Sequence, residues 1–210
     1  MIKTIAFDLG GVIITLDSDE PVKRFEEMGM TDASRLLNPY AQTAFFGDLE
    51  RGRITDEEFL RELSERVGRE VTWQQCQHAW LGYVAQVPVE RLHFVSALRE
   101  QGYRVVLASN TNIFMQTWAR SEEFSADRQP IDSYFDRMYC SYEMRAMKPD
   151  DSFFRHILSR ERVLPADLLF VDDSARNCAA ASELGIHTLC TENGEDWREK
   201  VRAVLEATRQ

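Results

Sequence analysis

The hydrophobic pattern of the chain changes period several times. Short, continuous apolar runs with many β-branched residues occupy 2–7, 103–108, 135–141, 168–171 and 186–190. Each reads as a strand buried on both faces, as in a parallel sheet covered by helices. Between them the apolar positions recur every three or four residues. Pro88 at the start and Gly102 just past the end bracket a helix over 88–101. Further helices are predicted over 151–160 and 175–184, the latter stopped by Gly185. In the tail, Trp197, Val201, Val204 and Leu205 share one helical face, which predicts a helix packed back on the sheet. Strand and helix alternating in this order predict an α/β fold with a doubly wound parallel sheet.

The alternation fails between residues 18 and 86. No convincing strand is visible there, but Thr55 with Glu58 and Thr72 with Gln75 form two capping-box patterns, each opening a helix. A stretch of this length exceeds a simple strand-to-helix crossover. The expected organisation is therefore a core of 1–17 and 87–210 with an inserted helical cap over 18–86. The aromatic residues Phe45, Phe46, Trp73, Trp80 and Tyr83 could line an entrance, but their helical spacing reads first as the small core of that cap.

Composition narrows the class. The chain has 210 residues, 44% of them apolar, enough for one core with an accessory layer. A net charge of −10 argues against general electrostatic binding to nucleic acid or an anionic bilayer. The apolar stretch 9–16 is too short to span a membrane, follows Asp8 directly and lacks a small-residue cleavage pattern. Cys76, Cys140, Cys178 and Cys190 form no CxxC pair, and His78, His93, His156 and His187 do not cluster with them. That spacing offers no structural zinc site and suits reduced thiols in the cytoplasm. The sequence leaves oligomeric state open, with a monomer marginally preferred.

In open α/β sheets ligands bind beyond the carboxyl ends of the strands. Asp8, the pair Ser109-Asn110, Lys148 and the pair Asp172-Asp173 lie at such ends. Each alone has an ordinary reading: a helix cap, a turn, a solvated loop lysine. The adjacent carboxylates are harder to dismiss, because they repel each other and gain from a shared cation. Together the groups place carboxylate, hydroxyl, ammonium and a carboxylate pair on one sheet edge.

These groups sit in the segments AFDLGGV, VVLASNTN, AMKPDDSFF and LLFVDDSARN, which resemble the four motifs of the haloacid dehalogenase-like hydrolase superfamily. The resemblance covers the whole chain and implies a Rossmann-like core with a helical cap of the C1 type. Within the superfamily the chain looks most like the glucose-1-phosphate phosphatase branch, through DLG, ERGRITDEEF and LREQGYRVVLASNTN. The resemblance implies that Asp8 is a nucleophile forming an aspartyl-phosphate and also a Mg²⁺ ligand. Gly10 through its carbonyl, Asp172 and Asp173 would complete the protein ligands. Ser109 and the amide of Asn110 would hold the phosphoryl oxygens, and Lys148 would offset charge between nucleophile and phosphate. An oxygen-only donor set of this kind suits Mg²⁺.

One position departs from the commonest pattern of that superfamily. The second aspartate of DxD, which protonates the leaving oxygen, is replaced by Gly10. Its loss puts general acid catalysis in doubt, a contribution of about 10²–10⁴-fold. The expected function is a Mg²⁺-dependent phosphatase acting on a small phosphorylated metabolite. A sugar phosphate is favoured, and a sugar 1-phosphate in particular, because its leaving oxygen is more acidic. Asp173 or Asp17 is the candidate to activate water, although Asp17, Asp19 and Glu20 read first as a solvated acidic turn. The competing readings are a metal-independent haloacid dehalogenase and a metabolite-binding protein that has lost turnover.

Overall fold

The computed structural model describes residues 1–37 and 43–208. Its first half contains β1 (Thr4–Phe7), β2 (Thr15–Leu16), α1 (Glu20–Glu27), α2 (Ala33–Leu36), α3 (Ala44–Glu50), α4 (Asp56–Val67), α5 (Trp73–Trp80), β3 (Val84–Gln86) and α6 (Val89–Glu100). The second half contains β4 (Arg104–Ser109), α7 (Ile113–Ala119), β5 (Arg137–Cys140), α8 (Ser141–Met144), α9 (Asp151–Glu161), β6 (Leu168–Asp172), α10 (Ala175–Glu183), β7 (His187–Cys190) and α11 (Arg198–Ala207).

The five predicted strands form one sheet in the order β5-β4-β1-β6-β7, with every neighbouring pair parallel. Alternate side chains of each strand enter opposite cores, as the pleat requires. Ile5, Phe7, Val105, Leu107, Leu169 and Val171 face a core that includes Leu92 and Val95 of α6 and Val201 of α11. Ala6, Val106, Ala108 and Phe170 face the other, with Phe153 and Ile157 of α9 and Ala181 of α10. Burial on both faces explains why the central strands β1, β4 and β6 read as continuous apolar runs. Register then sets the site: Phe7 stands opposite Leu107 and Val171, so β1, β4 and β6 end at one level.

The predicted tail helix is α11, preceded by Trp197, whose ring packs on Phe7 at 4.9 Å. Trp197 Nε1 and Arg91 Nη1 both donate to the Val12 carbonyl at 2.9 Å and pin the loop that follows β1.

The stretch 18–86 holds five helices among its described residues, and both capping boxes form. The expectation that it contains no strand is corrected by β3, which pairs antiparallel with β2, Leu16 opposite Val84. Elements of two and three residues are too short to show a period in sequence. Phe46 packs on Phe25 and Phe59 at 5.1 Å and on Trp80 at 5.4 Å, so these aromatics do build a core. That core is continuous with the sheet layer through Phe114 of α7, 5.9 Å from Phe59. Among the described residues, no helix is long and apolar enough to cross a membrane.

Candidate active site

At the level where β1, β4 and β6 end, a pocket of about 80 Å³ is lined by Asp8, Gly10, Ser109, Asn110, Lys148 and Asp173. Six of the seven residues expected from sequence therefore share one cavity wall. The seventh, Asp172, lies directly behind it with its side chain fully buried. Lys148 joins the two layers: its Nζ donates to Asp172 Oδ2 at 2.6 Å and stands 2.9 Å from Asp8 Oδ2.

Each group is held by local structure. Asp8 Oδ1 accepts from the Leu9 amide at 2.6 Å. Asp172 Oδ1 accepts from the Ser174 amide at 2.8 Å, and Asn177 Nδ2 reaches both oxygens of Asp172 at 3.1 and 3.2 Å. Gly11 adopts φ +73°, and a Cβ there would lie 2.0 Å from Asp173 Oδ2. Glycine is required at that position for the loop to pass beside the carboxylate.

The Asn110 side chain does not face a ligand. Its Oδ1 accepts from the Lys148 amide and its Nδ2 donates to the Lys148 carbonyl, both at 2.9 Å. It clamps the loop that presents Lys148, which leaves the backbone amide of Asn110 for any oxygen bound in the pocket. Asp17 lies outside the pocket. Its Oδ1 accepts from the amides of Asp19 and Glu20 at 2.9 and 3.0 Å at the start of α1, and those bonds hold its carboxyl below the usual range. The solvated-turn reading holds for this residue.

The electrostatics favour a cation. One carboxylate oxygen from each of Asp8, Asp172 and Asp173 lies within 4.8 Å of the other two. Against three negative charges the site sets one ammonium. Burial pushes the Asp8 carboxyl well above its usual range, with Asp172 and Asp173 adding to the effect and Lys148 opposing it. Burial alone would lower Lys148, but Asp172 and Asp8 hold it above its ordinary value, so it stays charged. A hard divalent ion bound by these oxygens would relieve the repulsion, so the donor set fits Mg²⁺.

Sequence reasoning missed two participants. Asn177 orients Asp172 from the first turn of α10. Glu50, the last residue of α3, is 8% exposed and lines the same pocket as Asp8. Burial pushes its carboxyl up to about 8, with Arg51 pulling the other way. The signal was present: Glu50 follows Phe46 by one helical turn and adjoins Leu49, so it belongs to the buried face of α3.

The haloacid dehalogenase-like hydrolase family model matches residues 2–185. The chain belongs to this family. It is 40% identical to the D-ribitol-5-phosphate phosphatase of Bacteroides thetaiotaomicron over 98% of this chain and 99% of that protein. Among solved structures it resembles a predicted HAD-like family hydrolase from Porphyromonas gingivalis, with a TM-score of 0.91 and 38% identity over 100% of this chain and 99% of that one. A HAD family enzyme of B. thetaiotaomicron, in complex with magnesium and inorganic phosphate, matches with a TM-score of 0.85 and 34% identity over 94% of this chain and 98% of that one.

Proposed function

We propose that this hydrolase is a Mg²⁺-dependent phosphatase acting on a small phosphorylated polyol or sugar through an aspartyl-phosphate on Asp8. The observation that carries the reading is the pair of contacts from buried Lys148 to Asp8 and Asp172, with Asp173 completing a three-carboxylate cluster at the pocket. In this reading Asp8, Asp172, Asp173 and the Gly10 carbonyl hold the metal, which supplies positive charge to the phosphoryl oxygens when bound. Asp8 Oδ attacks phosphorus. Lys148 opposes the protonation that burial favours at that carboxylate and offsets charge as nucleophile and phosphate meet. Ser109 Oγ and the Asn110 amide orient the transferring group.

The same reading divides the chain into a core and a cap over 18–86 that roofs the site through Glu50, Trp80 and Tyr83. It is supported by the relative that acts on D-ribitol 5-phosphate and by the structural neighbour that holds magnesium and phosphate. Ribitol 5-phosphate is a primary-alcohol ester, whose leaving oxygen is not activated. It therefore favours a polyol or sugar ester of that kind over the sugar 1-phosphate that Gly10 and the branch resemblance suggested. A metal-independent dehalogenase would have no use for the clustered carboxylates. The four thiols, all unpaired, and the net charge of −10 support a cytoplasmic enzyme without nucleic-acid partners.

The test is phosphate release across a panel of polyol and sugar phosphates, with magnesium and with excess chelator. Turnover that depends on magnesium and returns when it is restored supports the reading. Full turnover in chelator, or none with any ester, contradicts it.

A further inference from the structure

The family's usual acid is missing at Gly10, and the structure shows that the space beside it is filled. A Cβ on Gly10 would lie 3.1 Å from Leu16 Cδ1, and Leu16, Gly10 and Ile14 share that wall of the pocket. The same pocket is also lined by a carboxyl from the helical stretch. Glu50 is buried, borders the same cavity as Asp8, and its carboxyl is governed by burial and the charge of Arg51, with no hydrogen bond contributing.

Its place is fixed by contacts on either side. Arg51, the cation whose charge acts on it, pairs with Asp150 at 3.3 Å, at the start of α9. Gly52 adopts φ +64° so close to the sheet layer that a Cβ there would lie 2.1 Å from the Tyr142 carbonyl. Phe46, one turn earlier on α3, is locked in the aromatic core. A buried carboxyl at the wall of a reaction pocket, with no hydrogen bond holding it, has its bonding capacity left for a ligand.

Resting on the phosphatase reading, we propose that Glu50 is the general acid and base of the reaction, supplied from the helical cap in place of the aspartate absent at position 10. In the first step Asp8 Oδ forms a bond to phosphorus while the bond to the leaving oxygen breaks. That oxygen takes the Glu50 proton and departs as the alcohol. In the second step Glu50, now a carboxylate, removes a proton from water as the water oxygen bonds to phosphorus. The bond to Asp8 Oδ breaks, phosphate leaves, and Asp8 and Glu50 return to their starting states. The upward shift of the Glu50 carboxyl to about 8 keeps it protonated at neutral pH, as the first step requires.

The test compares an alkyl ester, D-ribitol 5-phosphate, with p-nitrophenyl phosphate, whose leaving group departs without a proton. Stopped-flow traces are taken for the wild type and Glu50→Gln. The variant should lose about 10²–10⁴-fold in kcat on the alkyl ester. On the aryl ester it should keep a rapid burst of one nitrophenolate per enzyme, followed by a slow steady state, because the second step has lost its base. Near-normal alkyl turnover in the variant overturns the proposal. So does loss of the burst with an unchanged melting temperature, since the damage would then precede leaving-group protonation. Should Glu50→Gln fail to fold, Glu50→Ala assayed with added formate replaces it: restored turnover supports the role and absence of rescue refutes it. A wild type inert toward both esters sinks the phosphatase reading itself, whereas an active wild type and an unaffected variant sink the role of Glu50 alone.

Discussion

Glu50→Gln has a consequence for stability that can be worked out before any kinetics. The carboxyl rises from 4.5 in the unfolded chain to about 8 in the fold, because burial penalises its charged form. Between those values the unfolded chain has released a proton that the folded protein retains. Stability from this group is therefore complete below about pH 4.5 and is lost as pH rises through about 8. At about 1.4 kcal/mol per pKa unit the loss is on the order of 5 kcal/mol, comparable to the whole stability of a marginal domain. Asp8 borders the same cavity and its carboxyl is also raised by burial, so the absolute curve contains its titration as well. The difference between wild type and Glu50→Gln isolates Glu50. Urea denaturation of both proteins in chelator, from about pH 5 to about pH 9, should show the wild type losing ground to the variant steadily up to about pH 8 and then running parallel. Parallel curves over the whole range would refute the claim that Glu50 is protonated in the fold.

Two further outcomes follow from the geometry. Lys148→Met removes the ammonium between Asp8 and Asp172 and should destabilise the metal-free protein by about 3–5 kcal/mol, with magnesium recovering part of the loss; equal destabilisation with and without magnesium would contradict the shared site. Gly52→Ala forces a Cβ toward the Tyr142 carbonyl at positive φ and should cost about 1–3 kcal/mol while lowering kcat, read by melting temperature and phosphate release.

The centre of the sheet was legible in sequence because β1, β4 and β6 are buried on both faces, and the same three strands were marked at their ends by Asp8, Ser109-Asn110 and Asp172-Asp173. Predicted and observed limits of the strands agree within two residues. The pocket followed from the same logic, since parallel strands in register bring their carboxyl ends together. What the sequence concealed was contact between distant segments. β3 is recognisable once β2 lies beside it, because three residues carry no period of their own. The Asn110 clamp on the Lys148 loop joins residues far apart in the chain, and an asparagine after a strand carries no mark of which way its amide turns. Glu50 was hidden by the habit of reading a charged residue at a helix end as solvated, although its spacing from Phe46 placed it inside. Gly10 marked in sequence where the usual acid is missing, but not that a carboxyl from another part of the chain lines the same cavity.

The central claim is that Asp8 carries the phosphoryl group during turnover. The direct measurement is rapid acid quench of enzyme mixed with D-ribitol 5-phosphate and magnesium, followed by peptide mass spectrometry. Phosphate should appear on the peptide containing Asp8 during turnover, and it should be absent from Asp8→Asn, whose amide is a poor nucleophile and whose turnover should fall by more than about 10³-fold. Turnover with no phosphorylated peptide, or phosphate on a residue other than Asp8, would contradict the account.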